Sequence, residues 1–285
     1  MNQYHRIYRV ALVLLLVAFT HAITNQDNHV LLASDNIAIY TETIRSDPNN
    51  AEAYHSRGDV YRKKREYDKA IEDFTEAIRL KPNYALAYRS RGNAYRYKGE
   101  YDKAIEDYTQ AIQLKPDYVR AYYNRGIAYG KKREYDKAIK DHTEVIRLKP
   151  NDVAAYHNRG DVYSKKSEYD KAIKDFTQAI RLNPNDVSAY KHRGRAYSKK
   201  REYDKAIEDY TKIIRLKPND TVTYTWRGRA YSKKGEYDKA IEDFTQVIRL
   251  KPNNVWAYRN RGNAYKEKGD LQKSKDDFDK VKSLR

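Results

Sequence analysis

All seven prolines of this 285-residue chain stand on one register: Pro48, Pro82, Pro116, Pro150, Pro184, Pro218 and Pro252, each 34 residues after the last. Seven of the 11 glycines keep the same step, at Gly58, Gly92, Gly126, Gly160, Gly194, Gly228 and Gly262. A fixed period of this length marks a supersecondary unit repeated along the chain. One such repeat cannot bury its own apolar faces, so neighbours must stack to be stable. The chain is therefore constrained to a one-dimensional array of similar layers.

Each repeat reads as helical twice. Tyr54, Gly58 and Tyr61 are spaced four and three, one face of a first helix. Ala70, Phe74, Ala77 and Ile78 give the same spacing in a second helix. A charged turn, Lys63-Lys64-Arg65-Glu66, separates the two. Leu80-Lys81-Pro82-Asn83 follows the second helix: Pro stops it, and the Asn or Asp after Pro can cap the next one. Few glycines and abundant Ala, Leu, Ile, Lys and Glu agree with a helical chain. The 29 tyrosines, against 5 Phe and 2 Trp, read as an amphipathic packing stripe that fills the layer between neighbouring helices. Each gridded Gly is expected where two helices approach closely, with a small Ala such as Ala70 or Ala104 opposite it. Replacing Gly126 with Leu should then destabilise by roughly 1–3 kcal/mol through overpacking.

These residues resemble the tetratricopeptide repeat family, whose motif sets aromatic, Gly, Tyr, Ala, aromatic, Ala and Pro at fixed spacings. The second repeat shows it as Tyr88, Gly92, Tyr95, Ala104, Tyr108, Ala111 and Pro116. The third departs from it, with His142 and Val145 at the second aromatic and second Ala positions. Seven repeats run over 51–84, 85–118, 119–152, 153–186, 187–220, 221–254 and 255–285, more than four-fifths of the chain. The resemblance implies an all-α fold, a right-handed α-solenoid of stacked antiparallel helix pairs. Residues 36–50 look like a half-repeat capping the N-terminal end, with Asn36 in place of the small Ala. In the last repeat Leu271, Ser274, Lys275 and Lys282 replace Tyr, Ala, Ile and Ile, as a polar capping face requires.

The N-terminus has a different character. His5, Arg6 and Arg9 precede an apolar run from Val10 to Phe19, and Thr20-His21-Ala22 follows. That order is a secretory signal. The apolar run is shorter than the roughly 20 residues of a bilayer span. Residues 1–22 are expected to be a signal peptide and 23–35 a linker, placing the protein in the periplasm, the cell envelope or the medium. Left uncleaved, residues 10–20 would anchor it to a membrane.

No catalytic constellation stands out. Carboxylates such as Glu72-Asp73 and Glu208-Asp209 stand at a position whose Asp recurs in every repeat, which marks architecture. There is no Gly-rich phosphate loop and no Gly-x-Ser-x-Gly elbow. With 0 Cys and no His spacing suited to a metal, neither a metal nor another cofactor is expected. His142 occupies an aromatic core position. The expectation is a non-enzymatic scaffold.

The charge points to the class of partner. With 58 basic and 40 acidic residues the net charge is +18, which favours acidic partners. Basic turns such as Lys131-Lys132-Arg133 end first helices, and acidic residues such as Glu134 and Asp136 open second ones, complementing the helix dipoles. The same turns could form a ridge that tracks phosphates, which makes nucleic-acid binding the second reading. Family resemblance implies that the first helices line a concave groove for a peptide or partner helix. Positions six and three before each Gly, and one and four after it, share one helical face and do not obey the repeat. They hold Arg62, Arg89, Arg96, Arg120, Lys191, Arg195, Arg229, Arg259 and Lys266 against Glu52, Asp59 and Asp161. The candidate groove residues are Arg89, Asn93, Arg96, Arg120, Asn124, Lys191, Arg195, Arg229, Arg259 and Asn263, which would meet an acidic segment through Arg forks. Some family members clamp the acidic tails of large heat-shock chaperones. Arg89, Asn93 and Asn124 resemble that clamp, but Ala154 and Asn158 stand where its last basic pair should be.

Overall fold

The computed structural model describes residues 28–284, with side chains from Asn36 onward. The signal peptide expected at 1–22 lies outside the described residues. Among those described, no helix is long and apolar enough to cross a membrane. They form 15 helices and no strand. The chain divides into two compact units, Met1–Leu114 and Lys115–Arg285.

The N-terminal unit holds α1 (Asn28–Ser46), α2 (Ala51–Lys63), α3 (Tyr67–Leu80), α4 (Ala85–Lys98) and α5 (Tyr101–Leu114). The C-terminal unit holds α6 (Val119–Lys131), α7 (Tyr135–Leu148), α8 (Val153–Lys165), α9 (Tyr169–Leu182), α10 (Val187–Lys199), α11 (Tyr203–Leu216), α12 (Thr221–Lys234), α13 (Tyr237–Leu250), α14 (Val255–Lys268) and α15 (Leu271–Ser283). Within each unit every helix packs on its sequence neighbours, so each unit is a stack of helix pairs. The short turns force consecutive helices antiparallel. One expectation needs correcting. The segment 23–35 is not linker throughout, because α1 starts at Asn28. Nothing from Asn28 to Ser46 breaks a helix: the stretch has no Gly or Pro.

Helix ends follow from local chemistry. Asn50, Asp152, Asp186 and Asn254 cap their helices by accepting from the third N–H beyond, and Asp220 caps α12 likewise. These caps stand two residues after Pro, one later than the sequence pattern suggests. Tyr84 and Tyr118 hold that position at α4 and α6 and make no side-chain cap. First helices close through a left-handed residue: Gly99, Gly235 and Gly269 in three repeats, and Arg65, Arg133, Ser167 and Arg201 in the other four. At the first of these turns the Glu66 N–H reaches back to the Tyr61 carbonyl at 2.9 Å, which satisfies an end carbonyl.

Gly58 explains its place on the grid. A Cβ there would lie 2.8 Å from the Phe74 ring and 3.1 Å from Asp73 Cβ. The residue that needs the space is therefore the buried aromatic of the second helix, and not the small Ala70 that the sequence pattern suggested. Ala70 and Phe74 are fully buried and pack with Ala94 of the next repeat.

A buried ion pair recurs in every repeat. The Arg before each Gly reaches the Asp 16 residues on, as Arg159 does to Asp175 through Nε–Oδ2 at 2.8 Å and Nη2–Oδ1 at 2.7 Å. Arg159 Nη1 also donates to Thr143 Oγ1 of the preceding second helix, at 2.9 Å. One guanidinium thus joins three helices in a bidentate, charge-assisted geometry. Its faces are used as well: Arg193 lies 5.6 Å from the Tyr190 ring and 5.9 Å from the Tyr197 ring. The tyrosine surplus consequently does more than fill layers. Half-buried rings carry cations on their faces.

Candidate functional site

In the N-terminal unit the first-helix face is occupied by internal contacts. His55 Nε2 and Ser90 Oγ are 3.0 Å apart and both residues are buried. Burial holds the His55 imidazole below its ordinary range. Arg62 donates to Asp59 at 3.1 Å. Tyr108 donates its hydroxyl to Asn93 Oδ1 at 2.8 Å. Burial pushes that phenol well above its usual value, against the opposing pull of Arg96 and Arg89. The structure thus gathers Arg89, Asn93 and Arg96 around one buried phenol. The Arg96 guanidinium also lies 4.5 Å over the Tyr97 ring.

The C-terminal unit is different. Two adjoining clefts open between its first helices. The first, about 320 Å³, is lined by Asp161, Ser164, Lys165, Tyr169, His192, Arg195, Ala196 and Lys199. The second, about 470 Å³, is lined by Arg195, Ser198, Lys199, Tyr203, Tyr210, Trp226, Arg229, Ala230 and Lys233. Arg195 and Lys199 belong to both. The one carboxylate, Asp161, is bonded to His192 Nδ1. Tyr210 and Trp226 meet at 5.9 Å, and Arg195 lies 5.9 Å from the Trp226 ring. Arg195 and Arg229 were expected in the groove, and the structure brings them to one cleft. Arg120, Asn124, Lys191, Arg259 and Asn263 line neither cleft. Arg259 instead covers the exposed Trp256 ring at 4.9 Å.

The sequence pattern missed Lys165, Lys199 and Lys233, the first lysines of the basic turns. Each basic turn divides its charge between two jobs. The second lysine is tied into the framework: Lys166 reaches Asp136 at 2.6 Å and Glu168 at 2.9 Å, and Lys200 reaches Asp170 at 2.5 Å. These contacts lift the Lys166 and Lys200 ammonium groups well above the usual lysine range. The first lysine lines a cleft. The detectable signal was phase: Lys165 and Lys199 stand five residues after their Gly, one step beyond Ser164 and Ser198 on the same face.

Elsewhere in this unit His157 Nε2 lies 2.7 Å from Asp186 Oδ2. Burial raises the Asp186 carboxyl, but His157 and the Ala189 N–H more than offset that and hold it below the ordinary range. No group of carboxylates and imidazoles among the described residues could hold a metal ion.

Stacked helix pairs with an irregular, charged first-helix face define a repeat scaffold of the protein-interaction class, a fold typically without catalysis of its own. Family models described as TPR repeat match residues 58–96, 92–133 and 228–269. Models described as tetratricopeptide repeat match 119–152, 153–186 and 187–220, then 39–72 and 209–242, and 257–285. The chain belongs to the tetratricopeptide repeat family. No curated protein matches it. Among solved structures it is similar to the C-terminal part of a TPR repeat-containing protein from Cytophaga hutchinsonii, at 22% identity over 80% of this chain and 93% of that one, TM-score 0.72. It is also similar to MamA, at 30% identity over 57% and 96%, TM-score 0.55. YrrB, described as a TPR protein with an unusual peptide-binding site, matches at 24% identity over 66% and 96%, TM-score 0.58.

Proposed function

We propose that this protein is an exported scaffold that binds an acidic peptide or protein segment along the clefts of its C-terminal unit. The observation that carries this reading is the charge of the clefts. Lys165, Arg195, Lys199, Arg229 and Lys233 line them, while the single carboxylate, Asp161, is hydrogen-bonded to His192. Uncompensated cations over an aromatic floor suit carboxylates carried on a chain with apolar or aromatic side chains. The volumes fall in the range of ligand sites, about 300–1,000 Å³. YrrB supports the reading by analogy, as a similar fold with a peptide-binding site. The nucleic-acid reading is weaker, because the second lysines that would form its ridge are paired with carboxylates.

The test is fluorescence anisotropy with an acetylated, amidated Glu/Ala peptide, on the wild type and on Arg195→Glu with Arg229→Glu. The wild type should bind, with an affinity that falls with salt, and the double variant should lose at least tenfold. Equal binding by both, or tighter binding of an oligonucleotide of equal charge, would exclude the proposal. Export is tested by cell fractionation with N-terminal sequencing. A chain retained inside the cell with Met1 intact refutes it.

A further inference from the structure

The third repeat departs from the family pattern at its second aromatic, and that departure meets the one glycine among the variable positions four after the gridded Gly. His142 stands where the other repeats place Phe74, Tyr108, Phe176, Tyr210, Phe244 and Phe278. Gly130 stands where they place Arg62, Arg96, Ser164, Ser198, Ser232 and Lys266. Both line a third cleft of the C-terminal unit, about 200 Å³, together with Ile127, Lys131, Asn158 and Lys165. A Cβ on Gly130 would meet only Val162 Cγ2, at 4.0 Å, so the missing side chain leaves the cleft open.

The walls of this cleft hold polar groups that the fold does not satisfy. His142 Nδ1 and Asn158 Nδ2 are buried and have no hydrogen-bond partner. His142 as a whole is 1% exposed. A buried polar group left unpaired is costly, and natural proteins tolerate few of them. Departures from local consistency likewise concentrate at functional sites. Lys131 and Lys165 stand beside these groups, and the cleft's Asp161 is bonded to His192.

We infer that this cleft is a carboxylate-binding subsite, with Asn158 Nδ2 and His142 Nδ1–H donating to the two oxygens and Lys131 and Lys165 supplying the charge. A carboxylate is acceptor-only and matches these four side chains, each a donor when His142 carries its proton on Nδ1. A cleft of this size admits one side chain, so the natural occupant is an Asp or Glu of a bound segment. The inference rests on the groove reading and adds to it a place where one residue of that segment is read. The pairing differs from the Arg forks of the neighbouring clefts, because its donors are neutral and buried.

The experiment titrates the full chain with sodium acetate, then with acetamide, following the His142 ring and Asn158 side-chain resonances by NMR. Acetate should shift both resonances, and acetamide at the same concentration should shift neither. Gly130→Leu fills the cleft without adding charge, and His142→Phe restores the aromatic of the other repeats. Both should abolish the acetate response while keeping a cooperative melt. An absent response to acetate, an equal response to acetamide, or an unchanged response in Gly130→Leu overturns the assignment. The acidic peptide separates this from the wider reading. Gly130→Leu should weaken it at least threefold. If Gly130→Leu leaves peptide affinity unchanged while Arg195→Glu with Arg229→Glu abolishes it, the groove stands and this subsite falls.

Discussion

Arg193 holds Asp209 by two parallel hydrogen bonds, Nε to Oδ2 at 2.9 Å and Nη2 to Oδ1 at 2.6 Å, across the two helices of one repeat. Asp209 is 2% exposed, and burial raises its carboxyl above the ordinary range in spite of the arginine. The pair is thus a fastener whose halves are each costly alone.

Removing one half exposes that cost. Arg193→Ala leaves a buried, unpaired Asp209 and a lost contact to Thr177, and should destabilise by about 3–5 kcal/mol. Arg193→Met with Asp209→Leu replaces the pair by apolar volume and should recover most of that loss. Urea unfolding of the three proteins checks both. A single variant as stable as the wild type would show that the pair holds nothing.

The left-handed turn residues make an opposite prediction in two places. Arg133 sits at φ 64, a region that costs a side chain about 1 kcal/mol. Arg133→Gly should therefore raise stability by up to about 1 kcal/mol. Gly235 sits at φ 81 with nothing within 4 Å of an added Cβ, so Gly235→Ala should lose a similar amount by conformation alone. Thermal melts of the two variants should move in opposite directions.

Gly160 tests the close approach. A Cβ there would lie 2.8 Å from Phe176 Cε1, inside a buried ring contact. Gly160→Ala should cost about 1–3 kcal/mol by overpacking. Pairing it with Phe176→Leu, which shortens the opposing side chain, should recover part of the loss in the same denaturation series.

His142 gives the stability a pH dependence. Burial, with a small push from Arg159, lowers its imidazole from 6.5 to about 4. Above pH 6.5 it is neutral whether folded or unfolded, so it contributes no slope. Between pH 6.5 and about 4 the unfolded chain takes up a proton that the folded chain refuses, so stability falls with pH. The loss should approach about 3 kcal/mol at the lower end. His142→Phe should lack this component, seen as a smaller difference between urea midpoints at pH 7 and pH 4.5.

Most of the fold was readable from position alone. Pro and Gly on a common register set the phase of the helices, and the spacing of Tyr54, Gly58 and Tyr61 set their type. The ion pair was not read, although Arg57 and its six equivalents keep the same register as the glycines beside them. Periodicity weighs apolar faces, and a buried charge pair has no apolar signature. The Ala assignment holds only in part, with Ala104 O 3.2 Å from an added Cβ at Gly92 but Ala70 not among the nearest atoms at Gly58: spacing shows which residues share a face, not which atom across the gap is nearest. In the candidate site, Arg195 and Arg229 were visible as irregular positions on a regular face. Lys165, Lys199 and Lys233 are hidden because they repeat, and a repeating residue reads as architecture.

Arg195 and Lys199 are walls of two clefts at once. Separate short occupants on either side would draw on the same guanidinium and ammonium, so filling one weakens the other. A single longer strand meets no such rivalry, since its successive acidic groups use the shared pair together. Under the proposed binding of an acidic segment, the shared wall would select for length and for charges placed at the step of the helix stack.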